Sequence, residues 1–491
     1  MSERTKDSDG RRFSIGLWSE IPAGGRWANE GISRMLGFLI EGAAKTHKYK
    51  FCVCVSNGLG RVVRDDFSAL AAVEYIDWEV FETPDRVALQ TTTEQRDLIS
   101  KFGLVDGLVQ QALYANQSVP VDAWIIPHPH FTTAVLLDKP RATLVADAIP
   151  FDFSVAWRGT HYFGDNGHWT RWQRNVSAAL ATSDVVVTHS MHNALKALIE
   201  LLNCPPERLI ILPNAAVDII ESLPWLKERR RTTETRLRAH AIVREYFHQH
   251  GPAYLADFPF EEHDYLVIST RDRPQKNIVK IVEAVATLNR KKNRNLKIIT
   301  TAHIEHGEWT RLPDFISGER YHLDFISTPD LPRDVHAALY HGSVMSIHSS
   351  FFEGGTGGFP FFESNSVGVP GAQAFGPHVD ELLDYMPTIR PYCFDPYDTN
   401  DVIRAIELVL DHREEALQIQ SEAYQRHSSV YDWTHVVNAW GRALFGETAA
   451  GPFFAGPTAG IFGAYSFAEE MARQKADGAA LEPDRFNGNA A

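Results

Sequence analysis

The sequence predicts an α/β chain made of two doubly wound, Rossmann-like parallel-sheet domains, and three observations carry that reading. Between Tyr265 and Ile347, β-rich and helix-periodic segments alternate at short spacing, the pattern of parallel strands joined by crossover helices. The half before it repeats the style, with an apolar strand, a glycine-bearing turn and an amphipathic stretch. The length of 491 residues, 44% of them hydrophobic, is enough for two cores.

In chain order, residues 1–12 are polar and charged and read as a disordered lead. Phe13 to Trp18 is the first strand, followed by the turn Ile21-Pro-Ala-Gly-Gly-Arg26 and a helix from about Asn29 to Lys45. Gly24 and Gly25 allow the backbone there to pass close under a phosphate or a sugar. Two later strands end in polar groups, Trp124-Ile-Ile-Pro-His-Pro-His130 and Ala142-Thr-Leu-Val-Ala-Asp-Ala-Ile-Pro150. Asp147 can orient or accept the proton of an incoming hydroxyl, or cap the turn that follows it. His128 and His130 stand without a carboxylate or cysteine at ligand spacing, so no metal is assigned to them. An aromatic run follows, from Phe151 to Trp172, suited to stacking on sugar rings or to a subunit contact. The segment Ala181–Asp218 holds a strand ending near His189 and Ser190, a helix, and a second strand ending in Asn214-Ala-Ala-Val-Asp218. Lys227–Arg238 carries six basic residues against two acidic ones and opens a helical insertion that runs to about His250. It reads as a solvated helix face, with contact to an anionic membrane as the alternative.

The second half begins with the strand Tyr265–Ser269, the basic turn Thr270-Arg-Asp-Arg-Pro-Gln-Lys-Asn277 and a helix over Ile278–Leu288. Strands over Leu296–Thr301, Tyr321–Ile326 and Ser343–Ile347 follow, with Pro332 opening a helix over Arg333–Tyr340. The most informative segment is Ser349–Pro370, SSFFEGGTGGFPFFESNSVGVP, which sets Glu353 and Glu363 among five glycines and two prolines. The N–H groups of such a loop, running into a helix start, suit a phosphate, and the carboxylates suit hydroxyls. A nucleotide sugar has both.

This arrangement resembles the donor site of the retaining family 4 glycosyltransferases, which have the GT-B fold. In that family a loop of the form E-G-x-G-x-P-x-x-E precedes a helix and G-x-P. Gly358-Phe359-Pro360, Glu363 and Gly368-Val369-Pro370 fall in register with its second half, whereas nine residues separate Glu353 from Glu363 where the family has seven. The turn Arg271–Asn277 is similar to the family's G-R-x-x-x-x-K-N segment, and the matches run from about Phe13 to Phe445. The resemblance implies two Rossmann-like domains facing each other across a cleft, over 13–258 and 264–428. A helix over 429–446 would cross back to the first domain, and 447–491 would be a partly disordered tail. It implies that Arg271 and Lys276 grip the diphosphate, Glu363 the ribose and Glu353 the donor sugar. Gly24, Gly25, Gly354, Gly355, Thr356, Gly357, Gly358 and Phe359 would line the donor, and Asp147 and His130 would stand near the reacting centre. No metal or other cofactor is expected, because the two cations supply the charge compensation.

The activity so implied is retaining transfer of a sugar from a nucleotide diphosphate sugar, with GDP-mannose as the expected donor. The acceptor would be a hydroxyl of a saccharide or a lipid-linked acceptor. The net charge of −14 argues against a nucleic-acid partner. Four cysteines without metal spacing and the lack of a run of about 18 apolar residues point to a cytoplasmic protein, with peripheral membrane contact and self-association as further expectations. Two alternatives stand beside this reading: a GT-B epimerase or phosphorylase, and a non-catalytic relative that binds a nucleotide sugar or a partner protein.

Overall fold

The computed structural model describes residues 13–21, 31–46, 48–66, 78–83, 89–104, 106–152, 167–226, 230–304, 312–355, 357–446 and 465–466. Gly24, Gly25, Thr356, the lead 1–12, most of the aromatic run and nearly all of the tail lie outside the described residues. The chain forms two compact units, one built mainly from Met1–Phe151, Asn166–Ala215 and Tyr431–Ala491, the other from Ala216–Val430.

The first unit is a sheet of seven parallel strands: β1 (Phe13–Trp18), β2 (Tyr49–Val55), β3 (Trp78–Glu82), β4 (Ala123–Ile126), β5 (Arg141–Leu144), β6 (Val185–Thr188) and β7 (Leu209–Ile211). Their order across the sheet is β7-β6-β5-β4-β1-β2-β3, and a short β14 (Tyr465–Ser466) runs antiparallel beside β7. The central strands are apolar along their whole length because helices cover both faces, which explains the near-continuous hydrophobic runs. At the sheet's centre a Cβ on Gly16 would lie 2.2 Å from the Trp124 ring, so glycine is what admits that indole between β1 and β4. The helix Trp433–Phe445, capped by Asp432, packs on the helix Gly31–Thr46, with the Phe38 and Trp433 rings stacked at 4.9 Å.

The second unit is a parallel sheet of six strands: β8 (Tyr265–Ile268), β9 (Lys297–Thr300), β10 (Phe325–Ser327), β11 (Met345–His348), β12 (Gly371–Ala374) and β13 (Cys393–Phe394). Their order is β10-β9-β8-β11-β12-β13. Leu266, Ile298, Ile347 and Ala372 pack with the helices Ile278–Lys292 and Thr399–Asp411 in one core. In both sheets the first strand lies between the strand that follows it and the later strand that starts the other half. The strand order thus reverses between β1 and β4 and again between β8 and β11.

The expected boundary near residue 258 lies some forty residues beyond the end of the first unit at Ala215. The reason is the helix Thr233–His250, which docks on the helix Arg333–Gly342 of the second unit. Arg231 donates to the carbonyls of His341 (3.1 Å), Gly342 (3.3 Å) and Ser343, while Arg236 donates to the Gly342 carbonyl at 3.1 Å and to Asp264 at 3.3 Å. Cations at a helix C-terminus satisfy its orphan carbonyls and its negative end. Burial pushes the Arg231 guanidinium down to about 10. Part of the basic run is therefore a clamp between two helices, and Arg238 lies 4.9 Å over the Trp225 ring. Among the described residues no helix is long and apolar enough to cross a membrane.

Candidate functional site

In an open parallel sheet, ligands bind outside the carboxyl ends of the strands where the chain order reverses. Each unit has one such place.

In the second unit the reversal lies between β8 and β11, and the loops leaving those strands are fastened together. Phe351 N donates to the Gln275 carbonyl at 2.9 Å, Ser350 Oγ to the same carbonyl at 3.2 Å, and Ser349 Oγ to the Lys276 carbonyl at 2.5 Å. Asn277 takes the left-handed conformation (φ 48°) that lets the turn Pro274–Lys276 pass into the helix Ile278–Lys292, and its amide donates to the Pro396 carbonyl at 2.9 Å. These bonds bring Lys276 against Glu353. Lys276 Nζ donates to Glu353 Oε1, and His348 Nε2 donates to the same oxygen at 2.9 Å. The Lys276 and Glu353 side chains are 17% and 19% exposed. Burial opposes ionisation of Glu353, but the Lys276 charge, the His348 hydrogen bond and the nearby His348 and His378 rings outweigh it and hold the carboxyl well below its usual range. The His348 and His378 rings meet edge to face at 5.7 Å.

The glycines beyond Glu353 have specific reasons. Gly357 has φ +74° and donates its N–H to the His378 carbonyl at 2.7 Å; a Cβ on Gly358 would lie 2.4 Å from the His348 ring. Gly358 then caps the helix Phe359–Ser366. Gly354 and Phe359 are half-buried, and Gly355 is buried. Arg271, on the loop leaving β8, is exposed.

Glu363 is placed differently from a surface clamp. It is fully buried on the helix Phe359–Ser366 and accepts a hydrogen bond from Tyr340 Oη at 3.1 Å. A ribose hydroxyl reaches this carboxyl only if the cover over it opens.

In the first unit the reversal lies between β1 and β4. His130 follows β4, and Asn175 Nδ2 donates to its Nδ1 at 2.7 Å, which leaves the ring proton on Nε2. The His130 N–H donates to His128 Nδ1 at 3.2 Å, and the two rings lie 4.8 Å apart. Asp147 follows β5, and its Oδ1 accepts from Ile149 N at 3.3 Å, capping the turn that starts the helix Ile149–Asp152. His189 follows β6 and is structural: its Nδ1 donates to the Leu212 carbonyl at 2.8 Å, and burial lowers the ring to about 4. Ser190 Oγ accepts from Asn193 N at 3.1 Å, a helix-start contact.

Sequence reasoning missed three groups that the fold places at these edges. His348 ends β11 and holds Glu353, and its signal was a histidine closing an apolar strand five residues before that glutamate. Tyr340 holds Glu363 from a helix distant in sequence, with no local signal. Glu20 stands two residues past β1 and accepts from Trp18 Nε1 at 2.9 Å, from Thr133 N at 2.8 Å and from Thr133 Oγ1. Burial raises the Glu20 carboxyl above its ordinary value, opposed by those hydrogen bonds and by one from the Ala134 backbone N–H.

No family model matches the chain, and no curated protein matches it. Solved structures do. The chain is similar to Anabaena HepE in complex with UDP and glucose, with a TM-score of 0.59 and 13% identity over 88% of this chain and 98% of that one. It is similar to the sucrose-phosphate synthase of Thermosynechococcus elongatus (TM-score 0.60, 12% identity, 88% and 98% covered). A mutant of S. aureus TarM in complex with fondaparinux, α-GlcNAc-glycerol and UDP gives 0.56 at 8% identity, with 88% and 99% covered. At these identities the likeness is one of fold: two Rossmann-like units of the GT-B type.

Proposed function

We propose that the protein is a glycosyltransferase that moves a sugar from a nucleotide diphosphate sugar to a hydroxyl acceptor. The observation that carries this reading is the Lys276–Glu353–His348 cluster, fastened at the strand reversal of the second unit ahead of the Gly357–Gly358 helix start. Lys276, with Arg271 on the same loop, neutralises the departing diphosphate, and the N–H groups at the start of the helix Phe359–Ser366 add to the positive field. Glu353, held ionised, accepts hydroxyls of the donor sugar. Anabaena HepE structures hold UDP and glucose or UDP-glucose, so UDP-sugars are the first donors to try, beside the GDP-mannose expected from the sequence. Retention of the anomeric configuration follows from the resemblance to family 4, as does a saccharide or lipid-linked acceptor.

The two extra residues between Glu353 and Glu363 favour a second reading, in which the nucleotide sugar is bound but not turned over. One experiment separates the two. Hydrolysis and binding are measured with UDP-glucose, UDP-N-acetylglucosamine, GDP-mannose and dTDP-rhamnose. Turnover of one donor supports the transferase; binding without turnover supports the second reading. Neither binding nor turnover with any donor sinks both.

A further inference from the structure

We propose that Gln373 is a positioning residue of the donor site: through one bound water its side-chain amide holds His348 Nδ1, and so keeps His348 Nε2 donating to Glu353. The proposal rests on the reading that Glu353 accepts hydroxyls of the donor sugar, and adds to it a residue that acts from behind the cluster. Three observations carry it.

The first is position. Gln373 on β12 is the register partner of His348 on β11, as Gly371 is of Ser346. A Cβ on Gly371 would lie 2.6 Å from Ser346 Oγ and 3.3 Å from the Phe361 ring, and one on Gly358 would lie 2.4 Å from His348 Nδ1, so these positions share the face covered by the helix Phe359–Ser366. Side chains two apart along a strand share a face, which puts Gln373 beside His348. The second is hydrogen bonding. Gln373 is 1% exposed and His348 4%, yet His348 Nδ1 and both polar atoms of the Gln373 amide have no hydrogen-bond partner among the described residues. Buried polar groups are paired with protein or with water, because leaving one unpaired is destabilising. Neighbouring strands lie about 4.8 Å apart, close to the roughly 5 Å that one water spans between two polar groups. Such a water donates to His348 Nδ1 and to Gln373 Oε1. The third is the ring proton. Glu353, held ionised, only accepts, so the neutral His348 ring keeps its proton on Nε2 and offers a lone pair at Nδ1. A donor at Nδ1 polarises the ring and strengthens the Nε2 bond to Glu353.

Gln373→Met keeps the length of the side chain and removes the amide. The variant is compared with wild type by calorimetric titration with UDP, UDP-glucose and GDP-mannose, and by the NMR signal of the His348 Nε2–H, identified by its loss in His348→Phe. The expected result is a fall of about tenfold in affinity for the sugar nucleotide that wild type binds, with UDP affinity unchanged and the His348 signal moved toward that of a weaker hydrogen bond. Unchanged affinity or an unmoved signal overturns the assignment. An equal loss for UDP and the sugar nucleotide also overturns it, and would make Gln373 part of the local fold. A second measurement needs no variant. A crystal structure of the wild-type chain should show a water within hydrogen-bond distance of both His348 Nδ1 and Gln373 Oε1; the lack of that water, or Nδ1 bonded to another group, overturns the proposal. A wild type that binds no sugar nucleotide sinks the functional reading by itself, and the His348 signal and the water then decide Gln373 separately.

Discussion

Replacing Lys276 by Met should lower both stability and turnover, and the size of the first effect follows from the cluster's geometry. Exposed ion pairs contribute about 0.2–1 kcal/mol, whereas breaking a buried pair costs about 3–5 kcal/mol because the remaining charge is stranded. Lys276 and Glu353 lie between these limits, at 17% and 19% exposure, and after the substitution Glu353 keeps the bond from His348. A loss of about 2 kcal/mol is the result, roughly 4–8 °C in Tm for a unit of about 200 residues. The pH dependence has a definite sign. Glu353 is opposed by burial but carried well below 4.5 by Lys276 and His348, so its contribution is fully present above the unfolded value and lost as pH falls through the depressed folded one. The gap between wild type and variant should be open at pH 7 and close as the solution is acidified through that window. Calorimetry of wild type, Lys276→Met, Glu353→Gln and the double variant at both ends of the window is the assay. The double variant should recover part of the loss, because it no longer strands a charge. A Tm shift under about 1 °C at pH 7, or a coupling energy near zero in the cycle, would refute the argument. Turnover of the donor found for wild type should fall about 10²- to 10³-fold with the loss of one charge on the leaving diphosphate.

Other outcomes follow from single contacts. Tyr340→Phe removes the hydrogen bond to a fully buried carboxyl and should cost about 1–3 kcal/mol, measured by urea unfolding; Glu363→Gln, which can still accept from Tyr340, should cost less. Gly358→Ala drives a methyl into the His348 ring and should destabilise by about 1–3 kcal/mol while weakening nucleotide binding, read by calorimetric titration. Asp147→Asn keeps an oxygen to cap the Ile149 amide, so Tm should hold; transfer should drop about 10²- to 10⁴-fold if Asp147 takes the hydroxyl proton, and normal transfer leaves it a turn cap.

Much of the fold was legible in the sequence because its cause is local. Strands buried on both faces must be apolar along their length, so Phe13–Trp18 and Tyr265–Ile268 stand out as runs. Pro332 marks a helix start within a residue. The helix Thr233–His250 was placed in the wrong half because membership in a core depends on which surface its buried face meets. Arg231 and His240 find the carbonyls of Gly342, about a hundred residues away in sequence, and no local pattern records that.

The sequence by itself determined the two sheets, the loops at their carboxyl ends and the residue types those loops carry. Lys276, Glu353 and the glycines around Gly357 were identifiable because cations, carboxylates and glycine each have a chemistry that composition exposes. Only the tertiary structure decided which of them meet. It joined Lys276 to Glu353 through hydrogen bonds between two loops, set His348 behind them, enclosed Glu363 beneath Tyr340 and tied Glu20 to Trp18 and Thr133. The physical reason is that hydrogen-bond satisfaction and burial are properties of pairs, and in a doubly wound sheet the pairs that matter lie on strands adjacent in space but far apart along the chain.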